Sequence, residues 1–133
     1  MSMLDDTVLL RSLLDGLPEA LVVTDTQGII RYWNDAAERL FGHPRSEALG
    51  ASLDILMPER FKAAHDAGFA RAVATGELRV GGRVMRTRAT HKEGRKLYVD
   101  FSFALLKDAQ GQVVGVYATG RDATDAQLKA AAG

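Results

Sequence analysis

The sequence predicts an α+β fold, a five-stranded antiparallel sheet with helices grouped on one face and a flanking helix at each end. Three observations predict it. A strand pair built on a tight turn opens the body of the chain, helical spacing runs through its middle, and strict apolar alternation fills its last part. The length, 133 residues, is that of one domain.

Residues 3–16 place Leu4, Val8, Leu9, Leu13 and Leu14 at helical spacing before Gly16 and Pro18 close the segment. So short a helix is marginal alone, so its apolar stripe is expected to dock on the sheet or on a second protomer. Residues 1–16 therefore read as an N-terminal flanking helix, 17–122 as the domain proper and 123–133 as the start of an exit helix. Residues 20–25 and 29–33 are apolar, β-branched runs around Asp25-Thr26-Gln27-Gly28, the pattern of a hairpin. Asp35, with Glu38 three residues on, reads as the N-cap of a helix that ends at Gly42.

Pro44 and Gly50 break residues 43–56 into short helical turns. Pro58 is suited to open a longer helix reaching about Thr75, with Phe61, His65, Phe69, Ala72 and Val73 along one face. Residues 83–90 alternate, and Lys92-Glu93-Gly94 turns the chain. Leu97, Val99, Phe101, Phe103 and Leu105 then occupy every second position of a half-buried strand. Asp108 to Gly111 is another turn, and residues 113–119 make the last strand. Asp122 is a good cap for the exit helix, with Arg121 beside it as an ion-pair partner.

Composition narrows function. Lys+Arg and Asp+Glu number 17 each, so no basic footprint points to nucleic acid. The chain has no cysteine, which excludes disulfides, thiolate nucleophiles, cysteine-ligated zinc, covalent c-type haem and photoreceptors that form a cysteinyl adduct. The N-terminus is acidic and lacks a signal-peptide pattern, and no apolar run approaches the ~20 residues of a membrane span. A cytoplasmic protein without a membrane partner is expected. Gly81-Gly82 lacks the context of a phosphate loop, and no serine sits in a nucleophile elbow. Asp25, Asp35 and Asp122 fit turn and cap roles. A binding module rather than an enzyme is expected, with its ligand between sheet and helices.

Several strings resemble the PAS fold: LPEALVVTDTQGIIRYWNDAAERLFG over residues 17–42, Leu49-Gly50, HKEGRKLYVDFS over 91–102, and VYATGRDATD over 116–125. The resemblance implies a sensory, dimerising module attached to an output domain or partner protein, with a homodimer formed through the flanking helices. ILMPERFKAAHDAGFARAVATGE, residues 55–77, is similar to the longer helix of the oxygen-sensing haem PAS domains of FixL type. That similarity implies haem b with His65 as its metal ligand, Arg71 and Arg79 near the propionates, and Val80, Phe101 and Phe103 over the distal face. Where those domains carry the arginine that bonds bound oxygen, this chain has Met85.

Taken without the resemblance, each residue also has a plainer reading. His65 is then a boundary histidine with both nitrogens paired, Met85 adaptable packing and Arg83 a surface charge. With haem present, Met85 becomes a candidate sixth ligand, and Arg83, at the same strand parity, a donor to bound gas. Trp33 reads as core or as a stacking surface for a flavin. His43 and His91, beside Pro44 and a turn, read as solvated. A non-covalent flavin, an apolar metabolite or an empty, purely dimerising domain are the alternatives to haem.

Overall fold

The computed structural model describes residues 5–79 and 81–132, so Leu4 of the first apolar stripe, and Val80, lie outside the described residues. Helix α1 spans Asp6–Gly16, its first turn capped by the Asp5 carboxylate, which accepts from the Val8 amide at 2.9 Å. It buries none of its residues: Val8, Leu9, Leu10 and Leu13 are all exposed. The stripe does not dock on its own sheet. Polar contacts tether the helix instead, from Tyr32 and Arg45 to Asp15 and from the Asn34 amide to the Leu14 carbonyl.

Strands β1 (Ala20–Thr24) and β2 (Ile30–Trp33) form the expected hairpin. The Asp25 carboxylate holds its turn, accepting from the Gln27 and Ile29 amides at 2.9 and 3.1 Å. Helix α2 spans Asp35–Phe41, but its cap is Asn34 rather than Asp35. Asn34 Oδ1 accepts from both the Ala37 and Leu21 amides, so one side chain starts α2 and ties it to β1. Helix α3 (Arg45–Ala48) and a 3-10 turn at Leu53–Leu56 follow. Pro58 precedes a second 3-10 turn, Glu59–Phe61, and helix α4 proper spans Lys62–Thr75.

Strands β3 (Met85–Thr90), β4 (Lys96–Lys107) and β5 (Val113–Asp122) complete a five-stranded sheet of order β2-β1-β5-β4-β3, antiparallel throughout. Helix α5 spans Thr124–Ala132.

The solid core lies under α2. Ile30, Trp33, Phe41 and Val99 are fully buried, and the Phe41 ring lies 5.4 Å from Trp33 and 6.2 Å from Phe101, centroid to centroid. Trp33 is core and donates to the His43 carbonyl at 3.0 Å. Under α4 the packing is different. That helix buries only Ala72, and Phe61 at its head is 39% exposed. Interiors are normally close-packed, so a long helix held off an aromatic sheet face marks the place where something else fits.

Candidate functional site

Between α4 and the sheet lies a cavity of about 790 Å³. That volume falls in the range of roughly 300–1,000 Å³ that houses small molecules and cofactors. Strand parity builds its sheet wall. Phe101 pairs with Met85 on one side and Gly120 on the other, and Phe103 pairs with Ala118, so Met85, Phe101, Phe103 and Ala118 share a face and line the cavity. Gly120 lets the Phe101 ring lie flat on β5, since a Cβ there would stand 2.7 Å from the ring. Val22 and Thr24 extend the wall across β1.

Helical spacing builds the opposite wall, where Ala64, His65, Gly68, Phe69, Arg71 and Ala72 face the cavity. Leu53, Leu56, Met57 and Phe61 from the 3-10 turns close one end, and the connection after α4 contributes Glu77, Leu78 and Arg79. The fold thus brings His65, Arg71, Arg79, Met85, Phe101 and Phe103 around one space. Val80 lies outside the described residues. Arg83 does not join them: β3 starts at Met85, after the Gly82 turn at φ +79°, which leaves Arg83 exposed in the connection.

His65 is the most informative of the set. Its side chain is 28% exposed, its ring lies 6.1 Å from that of Phe69, and its Nδ1 is buried without a hydrogen-bond partner among the described residues. Asp66 Oδ1 stands 3.8 Å from that nitrogen, too far for a hydrogen bond. No described residue therefore pairs with that nitrogen. Arg71 and Arg79 form no ion pair among the described residues, so both guanidinium groups are available to an anionic group. No cluster of three or more His, Cys, Asp or Glu side chains is assembled among the described residues. A metal at His65 would need most of its ligands from a cofactor.

These residues fit a planar, carboxylate-bearing metal cofactor in donor type and in room. Imidazole is the usual axial donor to haem iron, the arginines suit carboxylates, and the sheet wall is aromatic and apolar.

Thr24 was not legible as a site residue. It is 4% exposed, lines the cavity, and its Oγ1 has no hydrogen-bond partner among the described residues. In a β-branched run, a threonine reads only as a strand former.

The other two histidines depart from expectation. His91 is 6% exposed, its ring packed on Gly42 and its Nδ1 accepting from the Glu93 amide at 3.0 Å. His43 packs edge-on to Trp33, and burial holds its pKa below the usual imidazole value although Glu47 pulls it upward. Both are drawn inward by the aromatic core beneath α2, which a local reading of turn residues does not see.

On the outer face of the sheet, Arg86 forks onto Asp100 at 2.9 and 3.1 Å. Hydrogen bonding to Asp100 raises the Arg86 pKa, and the same contact lowers that of Asp100. The Asp122 carboxylate accepts from the Thr124 amide at 2.9 Å, Thr124 Oγ1 accepts from the Tyr98 amide at 3.1 Å, and Arg121 pairs with Glu19 at 2.8 Å. The exit helix is thereby seated on β4, the strand that carries Phe101 and Phe103.

Comparison with known proteins places this architecture. The family model described as PAS fold matches residues 14–128. Sensor protein FixL of Bradyrhizobium diazoefficiens is 42% identical over 73 residues, 55% of this chain and 14% of that protein. Oxygen sensor protein DosP of Escherichia coli is 27% identical over 108 residues, 81% of this chain and 13% of that protein. The chain thus spans about one seventh of the length of these relatives. Among solved structures, a PAS domain from Colwellia psychrerythraea superposes with a TM-score of 0.78 at 26% identity, covering 91% of this chain and 99% of that one. No helix among the described residues is long and apolar enough to cross a membrane.

Proposed function

The chain belongs to the PAS fold family, and from that premise we propose that it is a sensory domain whose input is a guest held between α4 and the sheet, with b-type haem on His65 as the guest its residues fit best. The observation that carries this reading is the position of His65, which lines the cavity from α4 across from the aromatic sheet wall of Phe101 and Phe103. A metal-bound imidazole normally gives its second nitrogen to a carboxylate or carbonyl; the nitrogen nearest a carboxylate is Nδ1, 3.8 Å from Asp66, so Nε2 would be the donor to the metal.

When bound, haem supplies a reversible site for a diatomic gas and a ligation state that follows oxidation. The chain's own part is to hold and orient it. His65 would be the axial donor, Arg71 and Arg79 would meet the propionates, and Phe101 and Phe103 would keep water from the sheet side. Met85 offers a thioether where FixL-type domains carry arginine. Repacking at Phe101 and Phe103 acts on β4, and β4 holds the start of α5 through Tyr98 and Thr124. PAS domains are typically sensory modules rather than enzymes, and the similarity to the oxygen sensor protein DosP makes oxygen the first stimulus to test. Purified protein titrated with hemin is expected to develop a Soret band saturating at one haem per chain, lost in His65→Ala. A variant that loads as fully as the wild type overturns haem ligation by His65.

A second reading concerns assembly. The exposed Val8, Leu9, Leu10 and Leu13 of α1 favour a homodimer formed through the flanking helices. Sedimentation across a concentration series is expected to show dimer, and Leu10→Glu with Leu13→Glu to give monomer. A wild-type protein that stays monomeric sinks this reading.

A further inference from the structure

Helix α4 is thinly supported by the rest of the fold. It is 14 residues long and buries only Ala72, whereas the seven-residue α2 buries Ala36, Ala37 and Phe41. No side chain caps its first turn, that turn holds no acid, and its last turn holds no base. Its own residues therefore satisfy neither the free amides nor the dipole at its ends. Gly68 sits in its interior, where glycine is the least favourable residue after proline. Among the described residues, every side-chain hydrogen bond and ion pair of α4 stays between Glu59 and Glu77, so nothing polar ties it to the sheet. The other helices all have such a tie to a strand: α1 through Asp15 to Tyr32, α2 through Asn34 to Leu21, α3 through Arg45 to Trp33, and α5 through Thr124 to Tyr98.

We infer that α4 is an order–disorder element: in the empty protein it opens locally while the rest of the domain stays folded, and a guest in the cavity holds it closed. A helix of this length is marginal in water by itself, so its folding depends on what its apolar face meets. Here that face, with Ala64, Gly68 and Phe69, looks onto the cavity. A guest supplies the packing the face lacks. The solid core of Ile30, Trp33, Phe41 and Val99 contains no α4 residue, so it survives the opening. Glycines on the C-terminal side make room for it, Gly76 ending the helix at φ +72° and Gly82 turning the connection at φ +79°. Occupancy of the cavity is thereby written into helix order. The inference rests on the cavity accepting a guest and not on that guest being haem.

Hydrogen exchange of the cofactor-free full chain tests this amide by amide. Amides of α4 are expected to exchange at least about a hundredfold faster than the central amides of β4, which open only with the whole domain. Low urea is expected to speed β4 and hardly to change α4, because a local opening exposes little surface. Exchange in α4 as slow and as urea-sensitive as in β4 overturns the inference. Filling the cavity is then done in two ways. Gly68→Leu puts apolar atoms into the space without any ligand and is expected to slow α4 exchange at least about tenfold beyond Gly68→Ala, which changes helix propensity alone. Saturating hemin is expected to slow α4 of the wild type by a similar factor. A folded Gly68→Leu whose α4 exchanges as fast as that of Gly68→Ala sinks the coupling. Hemin uptake that leaves α4 exchange unchanged removes only this inference, and ordering in Gly68→Leu without hemin uptake removes only the haem. If Gly68→Leu unfolds and hemin is not taken up, filling the space does not support α4 and the inference falls.

Discussion

The imidazole of His91 lies so close to Gly42 that a methyl group there would stand 2.3 Å from His91 Cε1. Gly42 also ends α2 at φ +81°, a conformation that costs a side chain roughly 1–2 kcal/mol. The ring has little room to retreat, because its Nδ1 accepts from Glu93 and the next residue, Lys92, donates to the Phe41 carbonyl at 2.9 Å. Gly42→Ala is therefore expected to destabilise the domain by about 2–4 kcal/mol through strain and overpacking. Urea denaturation checks it, and a loss below about 1 kcal/mol would show that the β3–β4 turn yields freely.

Asn34 joins three elements through one fully buried side chain. Its Oδ1 accepts from Leu21 and Ala37, and its Nδ2 donates to the Leu14 and Glu19 carbonyls at 2.9 and 3.0 Å. Asn34→Ala strands four backbone groups and is expected to cost about 3 kcal/mol. Asn34→Asp keeps the acceptors but sets a carboxylate against two carbonyls. A variant Asn34→Asp as stable as wild type, by the same urea measurement, would contradict the two donor bonds.

Two ionisations give opposite pH limits. Burial first, and then the hydrogen bond to Asp15, push the Tyr32 hydroxyl up to about 12. A raised pKa means the folded state holds its proton where the unfolded state, at about 10, has lost it. That stability is complete below about pH 10 and falls away as pH rises towards 12. Tyr32→Phe is expected to flatten the alkaline limb of a Tm-against-pH curve; an unchanged limb would place its cause elsewhere.

His43 behaves in the reverse sense. Burial lowers its pKa against the pull of Glu47, with Lys92 and His91 adding to the lowering. The folded state therefore resists protonation, and stability present above the unfolded imidazole value of about 6.5 is lost as pH falls below it. His43→Phe keeps an aromatic edge near Trp33 and is expected to lessen the loss of stability as pH falls below about 6.5. An acid limb of the same slope in the variant would assign it to other groups.

Most of the architecture was legible because its signals are local. Alternation over Leu97 to Leu105 needs only the period of a strand, and Gly42 and Gly76 end their helices where glycine is the residue that accepts a positive φ. The cap of α2 was misplaced by one residue, since Asn34 and Asp35 are both good caps and only the tertiary bond to Leu21 separates them. The cavity was legible as helix stripe facing strand stripe, but not how far α4 stands from the sheet. Arg83, exposed in the connection before β3, and Thr24, buried at the end of β1, were beyond local reading for the same reason. Where β3 begins and whether a hydroxyl finds a partner depend on the whole fold, not on neighbours in sequence.

Gly68 offers the most direct way to set packing against ligand binding. It sits inside α4 on the cavity wall, and a Cβ built there meets nothing within 4 Å. Gly68→Ala should stabilise the protein by about 0.5–1 kcal/mol, the helix-propensity difference alone. Gly68→Leu adds apolar surface that reaches into the cavity and is expected to raise the Tm of the empty protein further. It should also reduce hemin uptake at least tenfold, since the side chain takes up space a guest needs. If Gly68→Leu binds hemin as the wild type does, the guest does not lie under α4, whatever the stability change. If it instead unfolds the domain, the space beside α4 is filled by the protein's own side chains in solution.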